Sequence, residues 1–325
     1  MRYNRQAAAD VRVSILTNKK PLNRDVNNDT KVNVKDALVY KKDIDFLILS
    51  TGTSNMQVWG TRGDPTGTES PDPRIIGFNA ESNVMDFQIA DIRTSSLGLI
   101  GGQTQFREPI FTGPVTHRIN LSRTEARRNE NWVPTAFVFA KEYLKDHPNA
   151  KVGIVVHGIG ALCMPEWISE AGLDYTSVHG RPTVSTARAY KDVEAIMKVA
   201  LQRTKKGKAD VMIWGCTTAD RYLQNQVEIQ KQVILQFRNR DWVDDNAPML
   251  FTHATGNSTA SAANEPVNVR CQQVADETPR VACIDSEGLT VQTGPPYPFE
   301  PYHYDTAAVR QLGKMYYQAW KNIDS

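Results

Sequence analysis

From residue 45 onward, short apolar runs alternate with stretches of helical periodicity, and this alternation constrains the fold more than any other feature. Asp45-Phe46-Leu47-Ile48-Leu49-Ser50 is an apolar run that gives way to polar residues and glycine. A strand buried on both faces of a sheet reads this way, because neither of its faces meets water. Lys151 to Val156, Val211 to Trp214, Pro248 to Thr252 and Val281 to Asp285 repeat the pattern. Between them, Thr135 to Lys145, Ser185 to Arg203 and Tyr222 to Arg240 carry helical spacing. In the second of these, Val193, Ile196, Met197 and Ala200 share one face. Asp305 to Ile323 reads as a last helix. Such alternation predicts an α/β architecture of three layers, a parallel sheet with helices on both faces. Residues 60–132, rich in Gly, Pro, Asn and Arg, are expected to supply loops that shape a cleft.

The 325 residues balance 38 Lys and Arg against 36 Asp and Glu, a net charge of +2. Nucleic-acid affinity rests on an excess of clustered Lys and Arg, so no nucleic acid is expected as partner. The longest apolar stretch, Val152 to Met164, falls short of the roughly 18 residues of a membrane span and contains His157, so no span is expected. The N-terminus starts with basic residues but lacks the apolar core of a signal peptide. Cys163, Cys216, Cys271 and Cys283 form no Cys-x-x-Cys pair. They are expected to be buried free thiols rather than zinc ligands or a disulfide framework.

Residues 25–36 read DVNNDTKVNVKD. Oxygen-bearing side chains fall at loop positions one, three, five, nine and twelve: Asp25, Asn27, Asp29, Asn33 and Asp36. Lys31 stands at position seven, where a backbone carbonyl suffices. Ca²⁺ takes about six to eight oxygens, and this spacing aims them at one point. The alternative is a polar turn before a short helix, since Asn and Asp favour turns. The segment resembles a dockerin-type calcium repeat, whose last ligand is Asp. Thr30 replaces the usual Gly at position six, and one repeat stands where a cohesin-binding module uses two, so a cohesin-type partner is not expected. Residues 1–43 are therefore read as an N-terminal segment with a calcium loop, ahead of a domain spanning 44–325.

Two short segments bear on chemistry. Ser50-Thr51-Gly52-Thr53-Ser54-Asn55-Met56 follows the first strand, where open α/β sheets place their ligands. Glu300-Pro301-Tyr302-His303 precedes the last helix. A carboxylate three residues before a histidine can orient the imidazole while its other nitrogen serves a hydroxyl nucleophile, the relay that acyl transfer needs.

These segments carry a resemblance. FLILSTGTSNM looks like the first block of SGNH hydrolases, in the form used by the sialate O-acetylesterase and carbohydrate acetylesterase relatives. EPYH looks like their closing Asp-x-x-His block, and DTAAVRQLGKMYYQAW resembles the helix after it. TAFVFAKEYLKDHPNAKVGIVVHGIGALCMPEW and VNVRCQQVADETPRVACIDSEGL resemble their middle and late helix–strand stretches. The resemblance spans roughly residues 45–323. It implies an SGNH-hydrolase-like, flavodoxin-like domain and a serine esterase that removes acetyl groups from sugar hydroxyls, with an acetylated carbohydrate as substrate. Ser54 would be the nucleophile, His303 the base, and Glu300 the orienting carboxylate in place of Asp; Asp305 is a rival orienter. No cofactor is needed for this chemistry.

The sequence departs from the family pattern in three places. Thr53 replaces a Gln, and Asn131 to Thr135 stands where Gly-Pro-Gly is usual. The block from Ile213 to Asp220 lacks the amide and carboxylate that support the oxyanion hole. The backbone of Ser54, together with Gly102 or Thr217, is the expected substitute. A fold that only binds glycans, or serves as a structural module such as part of a phage tail, is the alternative. His157 is expected to be structural. The setting implied is extracellular or virion-associated.

Overall fold

The computed structural model describes residues 42–52, 56, 72, 74–79, 134–158, 164–167, 187–215, 220, 223, 225–254, 261–294 and 297–324. Its centre is a parallel sheet of six strands: β1 (Phe46–Gly52), β2 (Ile75–Asn79), β3 (Val152–Gly158), β4 (Val211–Gly215), β5 (Met249–Thr252) and β6 (Val281–Ile284). They lie in the order β2-β3-β1-β4-β5-β6, so β1, first in the chain, sits centrally. All seven residues of β1 are buried, which is why its sequence runs apolar without alternation.

The period of two in a strand then sorts its side chains between two cores. Leu47 and Leu49 enter one core with Val193 and Ile196 of α2 (Ala187–Ala200), Phe237 of α3 (Gln226–Arg238) and Val274 of α4 (Ser261–Glu277). Phe46 and Ile48 enter the other with Phe137 of α1 (Thr135–Asp146) and Leu312 and Tyr316 of α5 (Thr306–Asp324). The result is the three-layer α/β/α sandwich. No helix among the described residues is long and apolar enough to cross a membrane.

A second, two-stranded sheet stands apart: β7 (Val291–Gly294) pairs antiparallel with β8 (Tyr297–Tyr304), with irregular register. β2 and this hairpin come from segments not expected to hold strands. β2 is five residues long and lies in the Gly- and Pro-rich region.

The cysteine expectation is corrected for one pair. Cys271 of α4 and Cys283 of β6 form a disulfide, with Cα atoms 6.1 Å apart. The helix turns back into the strand just after it, which brings two positions 12 residues apart into register across the turn. Cys163 and Cys216 lie outside the described residues, as do residues 1–41 with Asp25, Asn27, Asp29, Lys31, Asn33 and Asp36 of the expected calcium loop.

Candidate active site

The carboxyl edge of the sheet is built around glycine. Register places Gly52 between Gly158 and Gly215, and Gly215 beside Thr252, which pairs with Ile284. Gly52 has φ +124°, a conformation that L side chains rarely adopt, and a Cβ there would lie 2.8 Å from the Gly215 carbonyl oxygen. Only glycine lets β1 end against β4 this closely. The chain is next described at Met56, which is buried with its side chain against Gly215; a Cβ on Gly215 would come 2.9 Å from Met56 Cγ. Ser50 Oγ donates to Met56 Sδ at 3.5 Å. Gly52 and Met56 are thus both packed on Gly215. Ser54 falls between them in the chain and, with Gly102 and Thr217, lies outside the described residues.

His303 is buried, near the end of β8. The backbone of Glu300 pairs with Gln292 of β7. Asp305, the rival orienter, caps a helix: its Oδ1 accepts the backbone N–H of Ala308 at 2.8 Å, and its own N–H donates to Thr290 O at 3.2 Å. That is the N-cap arrangement, worth about 1 kcal/mol to α5. Asp305 is thus engaged at the helix end.

Other polar groups hold the edge together. Asp220 is fully buried, and its Oδ1 accepts the N–H of Met164 at 2.9 Å. It ties the segment after β4 to the short 3-10 helix after β3, Met164–Trp167. Sequence reading passed over Asp220, although it closes the Ile213–Asp220 block. His157 is buried, and burial pushes its imidazole down to about 4, so it stays neutral. Thr51 Oγ1 donates to its carbonyl at 2.7 Å, and its ring meets Trp167 edge-on. His253, just beyond β5, lies with Nδ1 3.2 Å from Asp285 Oδ1; neither residue was singled out as a pair in the sequence. Among the described residues, no cluster of His, Cys, Asp and Glu could hold a metal ion.

A pocket of about 290 Å³ lies at the opposite edge, where strands begin, lined by Phe46, Asp210, Pro248 and Arg280 among others. Substrates of open α/β sheets bind at the carboxyl edge instead.

A family model described as carbohydrate esterase, sialic acid-specific acetylesterase, matches residues 45–322. The chain belongs to this family. It is a serine-type carboxylic ester hydrolase of the carbohydrate acetylesterase kind. Two solved structures have a similar fold. One is a protein from Arabidopsis thaliana, at 15% identity and TM-score 0.53, covering 86% of this chain and 98% of its own. The other is NanS, at 14% identity and TM-score 0.55, covering 87% and 98%. No curated protein sequence matches the chain.

Proposed function

We propose that this esterase removes acetyl groups from sugar hydroxyls through an acetyl-enzyme on Ser54. Ser54 Oγ attacks the acetyl carbonyl carbon while one nitrogen of His303 takes the hydroxyl proton. The tetrahedral oxyanion collapses, the carbon–oxygen bond to the sugar breaks, and His303 returns the proton to the leaving sugar oxygen. Water, deprotonated by His303, then releases acetate. Glu300 accepts from the other ring nitrogen and stabilises the imidazolium as it forms. The N–H of Ser54, with Gly102 or Thr217, would face the oxyanion, where a single donor is worth about 10²–10³ in rate.

The observation that carries this reading is the glycine-built end of β1. The family match spans that strand, and Gly52 and Met56, two residues to either side of Ser54, are both packed on Gly215 at the edge where such sheets bind substrate. Capping by Asp305 supports Glu300 as the orienter. The Cys271–Cys283 disulfide supports work in an oxidising, extracellular or virion-associated setting.

Hydrolysis of p-nitrophenyl acetate and of an acetylated glycan, followed with wild type and Ser54→Ala, tests the proposal. Ser54→Ala should lower turnover by at least about 10³-fold. Equal turnover by the two proteins would place the nucleophile elsewhere. Absence of turnover by wild type on either ester would favour a glycan-binding module.

A further inference from the structure

We propose that Tyr304 is the positioning residue for His303, acting through a hydrogen bond from its hydroxyl to the backbone carbonyl of His253. The proposal rests on the reading of His303 as the catalytic base.

The reason begins with topology. His303 stands on β8, and β8 belongs to the two-stranded sheet, not to the six-stranded one. The ladder that fixes β1 and its neighbours therefore does not fix the strand bearing the base. Pairing within the hairpin is itself irregular, with register shifts between Val291 and Gln292 and between Gln292 and Gly294. A base must be held to within a fraction of an ångström of its partner, so something outside the ladder has to tie this strand to the main sheet.

Tyr304 supplies such a tie. It is 3% exposed, and its hydroxyl donates to His253 O at 3.1 Å. Tyr304 pairs with Val291 in the hairpin and shares a core with Leu250 of β5 and Ile284 of β6, so it anchors the strand one residue from His303.

The carbonyl it grips is unusually well fixed. The N–H of His253 donates to Ile284 O at 3.0 Å, and its ring is held by Asp285. The next residue, Ala254, is gripped twice by Asn268 of α4, its N–H donating to Oδ1 at 2.8 Å and its carbonyl accepting from Nδ2 at 3.3 Å. Ser286 Oγ, fully buried, lies 3.3 Å from Ala254 O and 3.5 Å from His253 O. Residues of β6, of the turn after it and of α4 thus converge on two residues beyond β5. A hydrogen bond transmits position only when its acceptor does not move, and this acceptor is held from several directions.

Steady-state kinetics on p-nitrophenyl acetate with Tyr304→Phe, Tyr317→Phe and His303→Ala test the proposal. Tyr317→Phe is the control: its hydroxyl donates to Asp146 Oδ2 at 2.7 Å, a tie between α5 and α1 rather than to the end of β5. Tyr304→Phe should lower kcat at least about tenfold with KM unchanged, within the 10²-fold that a misplacement of about 1 Å can cost. Tyr317→Phe should leave kcat at the wild-type value, with both variants melting at similar temperatures. Wild-type kcat in Tyr304→Phe, alongside an inactive His303→Ala, would overturn the positioning role and leave the base assignment standing. Equal loss of kcat in both Tyr variants would reduce Tyr304 to a general packing role. Full activity in His303→Ala would instead remove the base on which the proposal rests.

Discussion

His157 shows how one buried side chain writes itself into the pH dependence of the whole fold. Its imidazole is held down to about 4 by burial, against an ordinary value of 6.5. The unfolded chain therefore binds a proton at a pH where the folded chain refuses it. Stability is fully present above pH 6.5 and is lost as the pH falls from there toward 4. Over that window the loss amounts to about 3 kcal/mol. Urea melts at pH 7 and pH 4.5 should show it, and His157→Gln should flatten the decline. An equally steep decline in His157→Gln would assign the acid sensitivity to other groups. Gly52 makes the complementary point. A glycine in a strand–loop turn is ordinary in a sequence, and nothing in the letters says that this one has φ +124° and lies against Gly215. Only a neighbour 163 residues later in the chain makes it irreplaceable, and that neighbour is set by strand order.

At the scale of elements, the disulfide joins α4 to β6 across a short turn. Closing a loop of this length stabilises the fold by about 3 kcal/mol, chiefly by limiting the unfolded chain. Replacing both Cys271 and Cys283 with Ala should lower stability by about 2–4 kcal/mol in denaturant melts. The double variant should also be the form that loses its response to reductant. Unchanged melting of wild type under reducing conditions would contradict this. The pairing was not legible because a spacing of 12 says nothing until the helix is known to fold back on the strand. Five of the six strands of the main sheet were legible: burial on both faces leaves β1, β4 and β5 as apolar runs with no competing period, and β6, half-buried at the sheet edge, is still apolar throughout. β2 was not, since five residues among Gly and Pro carry too little pattern. The β7–β8 hairpin was missed for a related reason. It is rich in Pro and polar residues, and its irregular register breaks the alternation that marks a strand.

At the scale of the molecule, strand order does the organising. Because β1 is central, its carboxyl end is flanked by the ends of β3 and β4, with β5 and β6 beyond. The last helix, α5, packs on the same side as α1, and the hairpin just before it brings His303 to a point where Tyr304 reaches the end of β5. The two segments proposed to carry the reaction are some 250 residues apart in the chain. Both were named through the resemblance of FLILSTGTSNM and EPYH to the first and last blocks of the family, since a Ser in a turn says little alone. Sequence could not supply the clamp that steadies one of them, because that clamp uses a backbone carbonyl and carbonyls carry no signature. The central proposition is that Ser54 Oγ gives its proton to His303. Labelling with a fluorophosphonate, read by peptide mass spectrometry and as a rate, tests it most directly. The relay requires one adduct, on Ser54, forming at least about 10³-fold more slowly in His303→Ala. An adduct on another residue, or the same labelling rate with and without the imidazole, would contradict it.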